Sequence, residues 1–238
     1  LLQGVPFQLT ELLMPTYHGS FFGLLNPFAV LCGLVSLFMI LMQGATWLQM
    51  KTTDEVHARS RSVAQIMGLL TVATFVAAGF WVQSIEGYVI TSAIDHNGAS
   101  NPLAKEVVRE AGAWMNNFEQ YPLMWIAPAL GVVMSLVTVL ASRLERGGIA
   151  FFASSLGNAG IIFTAGLAMF PFIMPSDLVP NHSLTMWDAT SSELTLNLMT
   201  GVAFIMVPVI LAYTIWTYYK MFGRLDSKFI EDNKNSLY

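Results

Sequence analysis

The chain has 238 residues, of which 55% are hydrophobic and 11% charged, with a formal net charge of −4. Ordinary soluble domains carry about 25% charged residues, so this composition excludes a water-facing surface over most of the chain. The acidic balance and the lack of any Lys/Arg run exclude a nucleic-acid partner, because nothing could neutralise a row of phosphates.

The chain begins Leu1-Leu2-Gln3-Gly4, with no initiator Met, basic n-region or cleavage site. It therefore reads as truncated at its N-terminus and not as a signal peptide. Five segments then pass the length test for a transmembrane helix: Pro27–Gln49, Ser62–Gln83, Pro122–Ser142, Ile149–Met174 and Leu194–Tyr219. None contains Asp, Glu, Lys or Arg. At a rise of about 1.5 Å per residue, each crosses a hydrocarbon core about 30 Å thick with slack for tilt. The predicted fold class is an all-α integral membrane protein with five transmembrane helices, forming a single transmembrane domain over residues 1–238.

Helix starts carry their own signals. Asn26-Pro27 sets a capping side chain before a proline at the first helical position, where its missing N–H costs nothing, and Tyr121-Pro122 repeats the second half of that device. Thr190-x-x-Glu193 matches a capping box just before the last span. Pro128, Pro171 and Pro208 each remove a backbone hydrogen bond and predict kinks within or near the ends of spans. The lone Cys32 excludes an intrachain disulfide and reads as a small hydrophobe.

Orientation follows from the basic residues, which are retained on the cytoplasmic side. Lys51, Arg59, Arg61, Arg143, Arg146, Lys220, Arg224, Lys228 and Lys234 occupy one set of loops, and only Lys105 and Arg109 the other. The loop from Lys51 to Arg61, the turn from Arg143 to Gly148 and the C-terminus are therefore expected in the cytoplasm. In the opposite loop, Asn101-Pro102 reads as a cap, and Leu103, Val107, Ala111, Trp114 and Phe118 follow at helical spacing. This spacing predicts a short periplasmic interfacial helix anchored by Trp114.

Candidate chemistry is sparse. His18, His57, His96 and His182 all fall in loops or at helix borders, with no clustered partners in sequence for a metal, so no metal or haem ligand is assigned. The fourteen methionines, scattered through apolar spans, read as packing. Gln43, Thr46, Gln65, Thr71, Ser154, Ser155, Asn158, Thr164 and Asn197 are the polar groups inside spans and read as interhelical hydrogen-bonding groups, while Ala153, Gly157, Gly160 and Gly166 suit close helix approach. No catalytic residue is assigned. Trp187 and Asp188, with Glu193, are candidates for a structural loop at the start of the last helix.

Several stretches are recognisable together. They are Leu24-Leu-Asn-Pro-Phe28, Gln43-Gly-Ala-Thr46 with Leu48-Gln-Met50, Ala99-Ser-Asn-Pro-Leu103, Lys105-Glu-Val-Val-Arg-Glu-Ala-Gly-Ala-Trp114, Ala168-Met-Phe-Pro-Phe172, Thr185-Met-Trp-Asp-Ala-Thr-Ser-Ser192, Lys220-Met-Phe-Gly-Arg224 and Ser236-Leu-Tyr238. Through nearly the whole chain the sequence resembles the C-terminal part of subunit II of cytochrome bd-type ubiquinol oxidases. The resemblance implies an inner-membrane respiratory complex that oxidises quinol and reduces dioxygen to water, with protons taken from the cytoplasm. It implies that haems b and d, their ligands and the quinol-oxidising loop belong to a partner, subunit I, against which subunit II packs and whose assembly it supports. It further implies N-terminal helices, absent here, that carry the residues of proton entry. A small accessory subunit, membrane lipids and a quinone or lipid tail between helices fit the resemblance, but no motif fixes their contacts. Two other readings remain open: part of a solute or ion transporter, which five kinked spans could build, and a purely structural membrane assembly subunit.

Overall fold

The computed structural model describes residues 1–93, 101–220 and 223. Asp95, His96 and Ala99, the tail residues Arg224, Lys228 and Lys234, and the closing Ser236-Leu-Tyr238 lie outside the described residues. In chain order the elements are β1 (Phe7–Leu9), β2 (Pro15–Tyr17), α1 (Pro27–Lys51), α2 (Asp54–Val82), β3 (Glu86–Ile90) and β4 (Val107–Ala111). They continue with α3 (Asn116–Gln120), α4 (Ile126–Arg143), α5 (Gly147–Met169), β5 (Phe172–Met174), β6 (Leu184–Thr185) and α6 (Glu193–Lys220). Among the described residues, five helical segments, with α4 extended by a 3-10 turn from Pro122, are long and apolar enough to cross a membrane.

The first helix starts as its sequence dictates. Asn26 Oδ1 accepts from the Ala29 N–H at 2.7 Å, and Pro27 follows at the first helical position. Elsewhere the boundaries move, for physical reasons. The predicted span from Ser62 begins earlier, at Asp54, because hydropathy marks the lipid and not the hydrogen-bond ladder. Asp54 and Glu55 suit the positive end of the helix dipole, and Glu55 pairs with Arg59 one turn on, at 2.5 Å. The span predicted to reach Met174 stops at Met169: Phe170 takes an extended ψ of 133° ahead of Pro171, which has no N–H to continue the ladder. Pro171 thus ends a helix where a kink was expected, whereas Pro208 lies inside α6. At the start of α6 the Leu196 N–H bonds the Ser192 carbonyl, so Ser192 and not Thr190 holds the cap position, and Glu193 becomes the first helical residue.

The largest departure lies between residues 103 and 118. The interfacial helix predicted there is instead a strand: β4 pairs antiparallel with β3, from Glu86 opposite Ala111 to Ile90 opposite Val107. Gly112, at φ 76°, turns the chain out of the strand into a short 3-10 turn and α3. Trp114 is not an interfacial anchor. It is 1% exposed, packed with Phe28, Ile85, Tyr88, Val107 and Phe172, and its Nε1 donates to the Leu2 carbonyl at 3.0 Å.

Helices α1, α2, α4 and α5 form a four-helix bundle in which α1 and α4 each pack against both α2 and α5. Its interior is small and hydroxylic, with Thr46, Thr71, Ser135, Thr138, Ser142 and Ser154 fully buried, while leucine, isoleucine and phenylalanine face outward. That inversion suits lipid as solvent, where helices gain by close contact and hydrogen bonds and not by burying oil. The three hairpins and the N-terminal segment gather at one end, the hairpin end. Arg61, Arg143 and Glu145 mark the other, the arginine end. No residue of α6 is buried; near its last turn the Tyr218 ring meets Trp47 of α1, with centroids 5.8 Å apart.

Candidate functional site

Of the polar groups predicted as interhelical bonds, Gln43, Thr46, Ser154, Ser155 and Asn158 converge on the α1–α5 seam. Gln43 Oε1 accepts from Ser154 Oγ at 2.7 Å and from Asn158 Nδ2 at 3.3 Å, and its Nε2 donates to Ser155 Oγ at 2.8 Å. Thr46 Oγ1 lies 3.0 Å from Ser154 Oγ. Asn158 Oδ1 is buried with no hydrogen-bond partner among the described residues. One turn beyond Thr46, a second node joins three helices: Gln49 Oε1 accepts from Ser142 Oγ at 3.0 Å, its Nε2 donates to the Ser60 carbonyl at 3.4 Å, and its own carbonyl meets His57 Nδ1 at 3.0 Å. Gln49, 1% exposed, was not among the polar groups singled out from sequence, nor were Ser60 and Ser142. Of those that were, Thr71 and Thr164 bond back to their own helices, and Asn197 is exposed on α6.

Both nodes consist of amides, hydroxyls and carbonyls, which fasten helices at modest gain in lipid. Gln43→Leu is expected to lower the thermal midpoint of the detergent-purified protein by the equivalent of about 1–2 kcal/mol. Adding Asn158→Leu should cost less than the separate losses added, because the two share one set of bonds.

At the hairpin end, Trp187 and Asp188 turn toward other loops. Asp188 forms an ion pair with Lys105, the two side chains being 8% and 3% exposed, and its Oδ1 accepts from the Thr185 N–H at 2.6 Å. Lys105 Nζ also donates to the Pro102 carbonyl at 2.7 Å. Trp187 packs edge-on against Phe170, centroids 6.1 Å apart. Glu193 is exposed, as the first residue of α6. Alongside, Asn181 Oδ1 accepts from the Val107 N–H at 2.8 Å, and Arg109 pairs with Asp177 at 2.5 Å while lying over the Tyr88 ring. Burial pushes the Tyr88 phenol above its ordinary value against the opposing pull of Arg109. For Arg109, burial works against the charge, but Tyr88 and Asp177 outweigh it and the net direction is up.

Among the described histidines, His57 and His182 bond backbone groups, whereas His18 faces side chains. His182 Nδ1 accepts from the Leu9 N–H at 2.9 Å, and His18 Nε2 lies 3.1 Å from Gln8 Nε2 and 3.2 Å from Thr16 Oγ1. Among the described residues, no three His, Cys, Asp or Glu side chains come together as a metal would need. Within the described bundle the buried Met42 sulfur faces Gly68 of α2, and the His57 imidazole is engaged at the Gln49 carbonyl. An apolar cavity of about 580 Å³ lies between α2, α4 and α5, lined by Phe75, Phe80, Phe118 and Trp125 with Gln83 and Thr164 as its polar groups.

Comparison with known proteins follows the same lines. Residues 1–221 match the family described as cytochrome bd terminal oxidase subunit II. Subunit 2 of the cytochrome bd-I ubiquinol oxidase of Escherichia coli (strain K12) is 58% identical over 239 residues, covering 100% of this chain and 63% of that protein. A probable cytochrome oxidase subunit 2 of Haemophilus influenzae is 56% identical over 238 residues, with the same coverage of 100% and 63%. Cytochrome bd ubiquinol oxidase subunit 2 of Bacillus subtilis is 22% identical over 215 residues, covering 89% of this chain and 54% of that protein. The chain thus spans 63% of the length of the first two relatives.

Proposed function

The chain belongs to the cytochrome bd terminal oxidase subunit II family, and from that premise we propose that it works as part of subunit II of a bacterial inner-membrane complex that oxidises quinol and reduces dioxygen to water. The observation that carries this reading is the family match over residues 1–221, joined to 58% identity with a ubiquinol oxidase subunit 2. The haems b and d of such a complex are assigned to the partner subunit I, in keeping with an interior built of hydroxyls and amides. This segment's task is then to pack against that partner and support its assembly.

Two structural features support that division. Apart from the contact of Tyr218 with Trp47, α6 is uncovered, with large apolar side chains such as Leu198, Phe204 and Ile215 on its surface, which in a bilayer must be met by lipid or by other protein. The cavity between α2, α4 and α5 is large and apolar enough for part of a quinone or lipid tail. Purification of the native complex tests the reading. Its absorption spectrum should carry haem bands and its membranes should show quinol-dependent oxygen uptake; isolation without a haem-bearing partner, or no such uptake, would refute it. Flux of a solute in haem-free vesicles would favour a transporter instead.

The orientation belongs to the same proposal. Arg61, Arg143, Glu145 and the end of α6 share one end of the bundle, and the excess of basic residues there supports a cytoplasmic position for that end. A reporter fused after Tyr238 is expected to resist external protease in intact cells; its digestion would reverse the topology.

A further inference from the structure

At the arginine end a polar pocket of about 740 Å³ opens between α2 and α4, lined by His57, Arg61, Ser62, Gln65, Arg143 and Glu145. Arg61 is committed: its guanidinium pairs with Glu145 at 2.6 Å and donates to the Arg143 carbonyl at 2.6 Å. The Arg143 side chain and the Gln65 amide line the same pocket and have no hydrogen-bond or ionic partner among the described residues. Two arginines against one glutamate leave the pocket net positive.

Its position fixes the kind of ligand. Arg61 and Arg143 stand one residue outside the apolar stretches of their helices, at the level where a bilayer keeps its phosphates. Residues three or four apart lie on one helix face. Above Ser62 and Gln65 on α2 come Ile66 and Leu69, 54% and 50% exposed, and above Arg143 on α4 come Leu140 and Leu136, 57% and 39% exposed. The surface therefore pairs a cationic, donor-rich mouth with an apolar flank leading into the membrane.

We propose that this pocket binds an anionic phospholipid, its phosphate held by Arg143 and Arg61 and its acyl chains laid along Ile66, Leu69, Leu136 and Leu140. Gln65 and Ser62 face the ester and glycerol oxygens. A free phosphate could satisfy the arginines but would leave the apolar flank unused, and a zwitterionic lipid would set its own cation against Arg143.

The test uses the full-length protein in its native complex, delipidated in detergent and titrated with short-chain phosphatidylglycerol, phosphatidylcholine or inorganic phosphate while the thermal midpoint is followed. Phosphatidylglycerol should raise the midpoint saturably, well beyond the other two. Arg143→Gln should weaken its apparent affinity roughly fivefold, as removal of one basic contact with an anionic lipid does. Arg143→Lys should keep most of the effect, and Arg59→Gln, outside the pocket and paired with Glu55, should keep all of it. Equal shifts with phosphatidylcholine would overturn the site, as would a full response to inorganic phosphate. An Arg143→Gln protein that keeps the unliganded midpoint and the unchanged phosphatidylglycerol affinity would also overturn it.

Discussion

Asp188→Ala is expected to destabilise the hairpin end by about 3–5 kcal/mol, the usual cost of removing one member of a buried ion pair. Its partner Lys105 is 3% exposed, so the ammonium left behind has little water to turn to and, among the described residues, keeps only the Pro102 carbonyl of its present bonds. The same change removes the acceptor of the Thr185 N–H. Because the pair joins loops 83 residues apart, the loss should show first as local opening. Limited proteolysis of the purified complex should find new cuts in the loops around Lys105 and Thr185, before the helical signal falls. Asp188→Asn keeps an acceptor for Thr185 and should lie between alanine and the native protein. The pair Lys105→Met with Asp188→Leu is expected to lose less than Asp188→Ala alone, since no charge is then stranded. Asp188→Ala with an unchanged proteolysis pattern and unchanged assembly would remove any clamping role for this residue.

That clamp illustrates which parts of the structure the sequence made legible. Trp187 and Asp188 stand out from their loop in the sequence, but Lys105 figures there only as a basic residue of the outer loops and within a recognised stretch, because nothing local in a sequence joins two loops so far apart. The spans themselves were legible: twenty or so apolar residues without a charge have few other places to go. The hairpin was not. Leu103, Val107, Ala111 and Trp114 fit a helical period by themselves, and the strand partner that decides the matter, Glu86–Ile90, lies on the far side of the loop. A non-local ladder overrode a local period. Within the spans, residue type showed that Gln43, Ser154 and Asn158 could bond across helices. It did not show that the bonds close on Gln43, nor that Gln49 and Ser142 make a second node, because helix rotation is set by packing and these bundle helices have only weak apolar asymmetry for a sequence to display.

Gly157, Gly160 and Gly166 mark the same limit, and they separate into two classes with opposite expected behaviour. A Cβ on Gly160 would stand 2.6 Å from the Gly131 nitrogen and 2.8 Å from the Ala127 carbonyl oxygen, both backbone atoms of α4 that no rotamer change can move. On Gly157 it would meet Ser135 Oγ at 3.0 Å and the Ser135 nitrogen at 3.3 Å. On Gly166 it would meet nothing within 4 Å. Gly160→Val must therefore push α4 and α5 apart along a seam whose stability rests on direct backbone contact, since lipid gives these helices no hydrophobic reason to associate. Overpacking of this kind costs about 1–3 kcal/mol or more, and a shifted α5 would also strain the bonds that its α1-facing side makes to Gln43. Gly166→Ala should be neutral or slightly stabilising, because alanine exceeds glycine in helix propensity by about 1 kcal/mol and meets no neighbour. Thermal midpoints of the two variants in one detergent, set against the native protein, give the comparison. Equal losses at the two positions would mean that α4 and α5 do not touch as closely at Gly160 as described here.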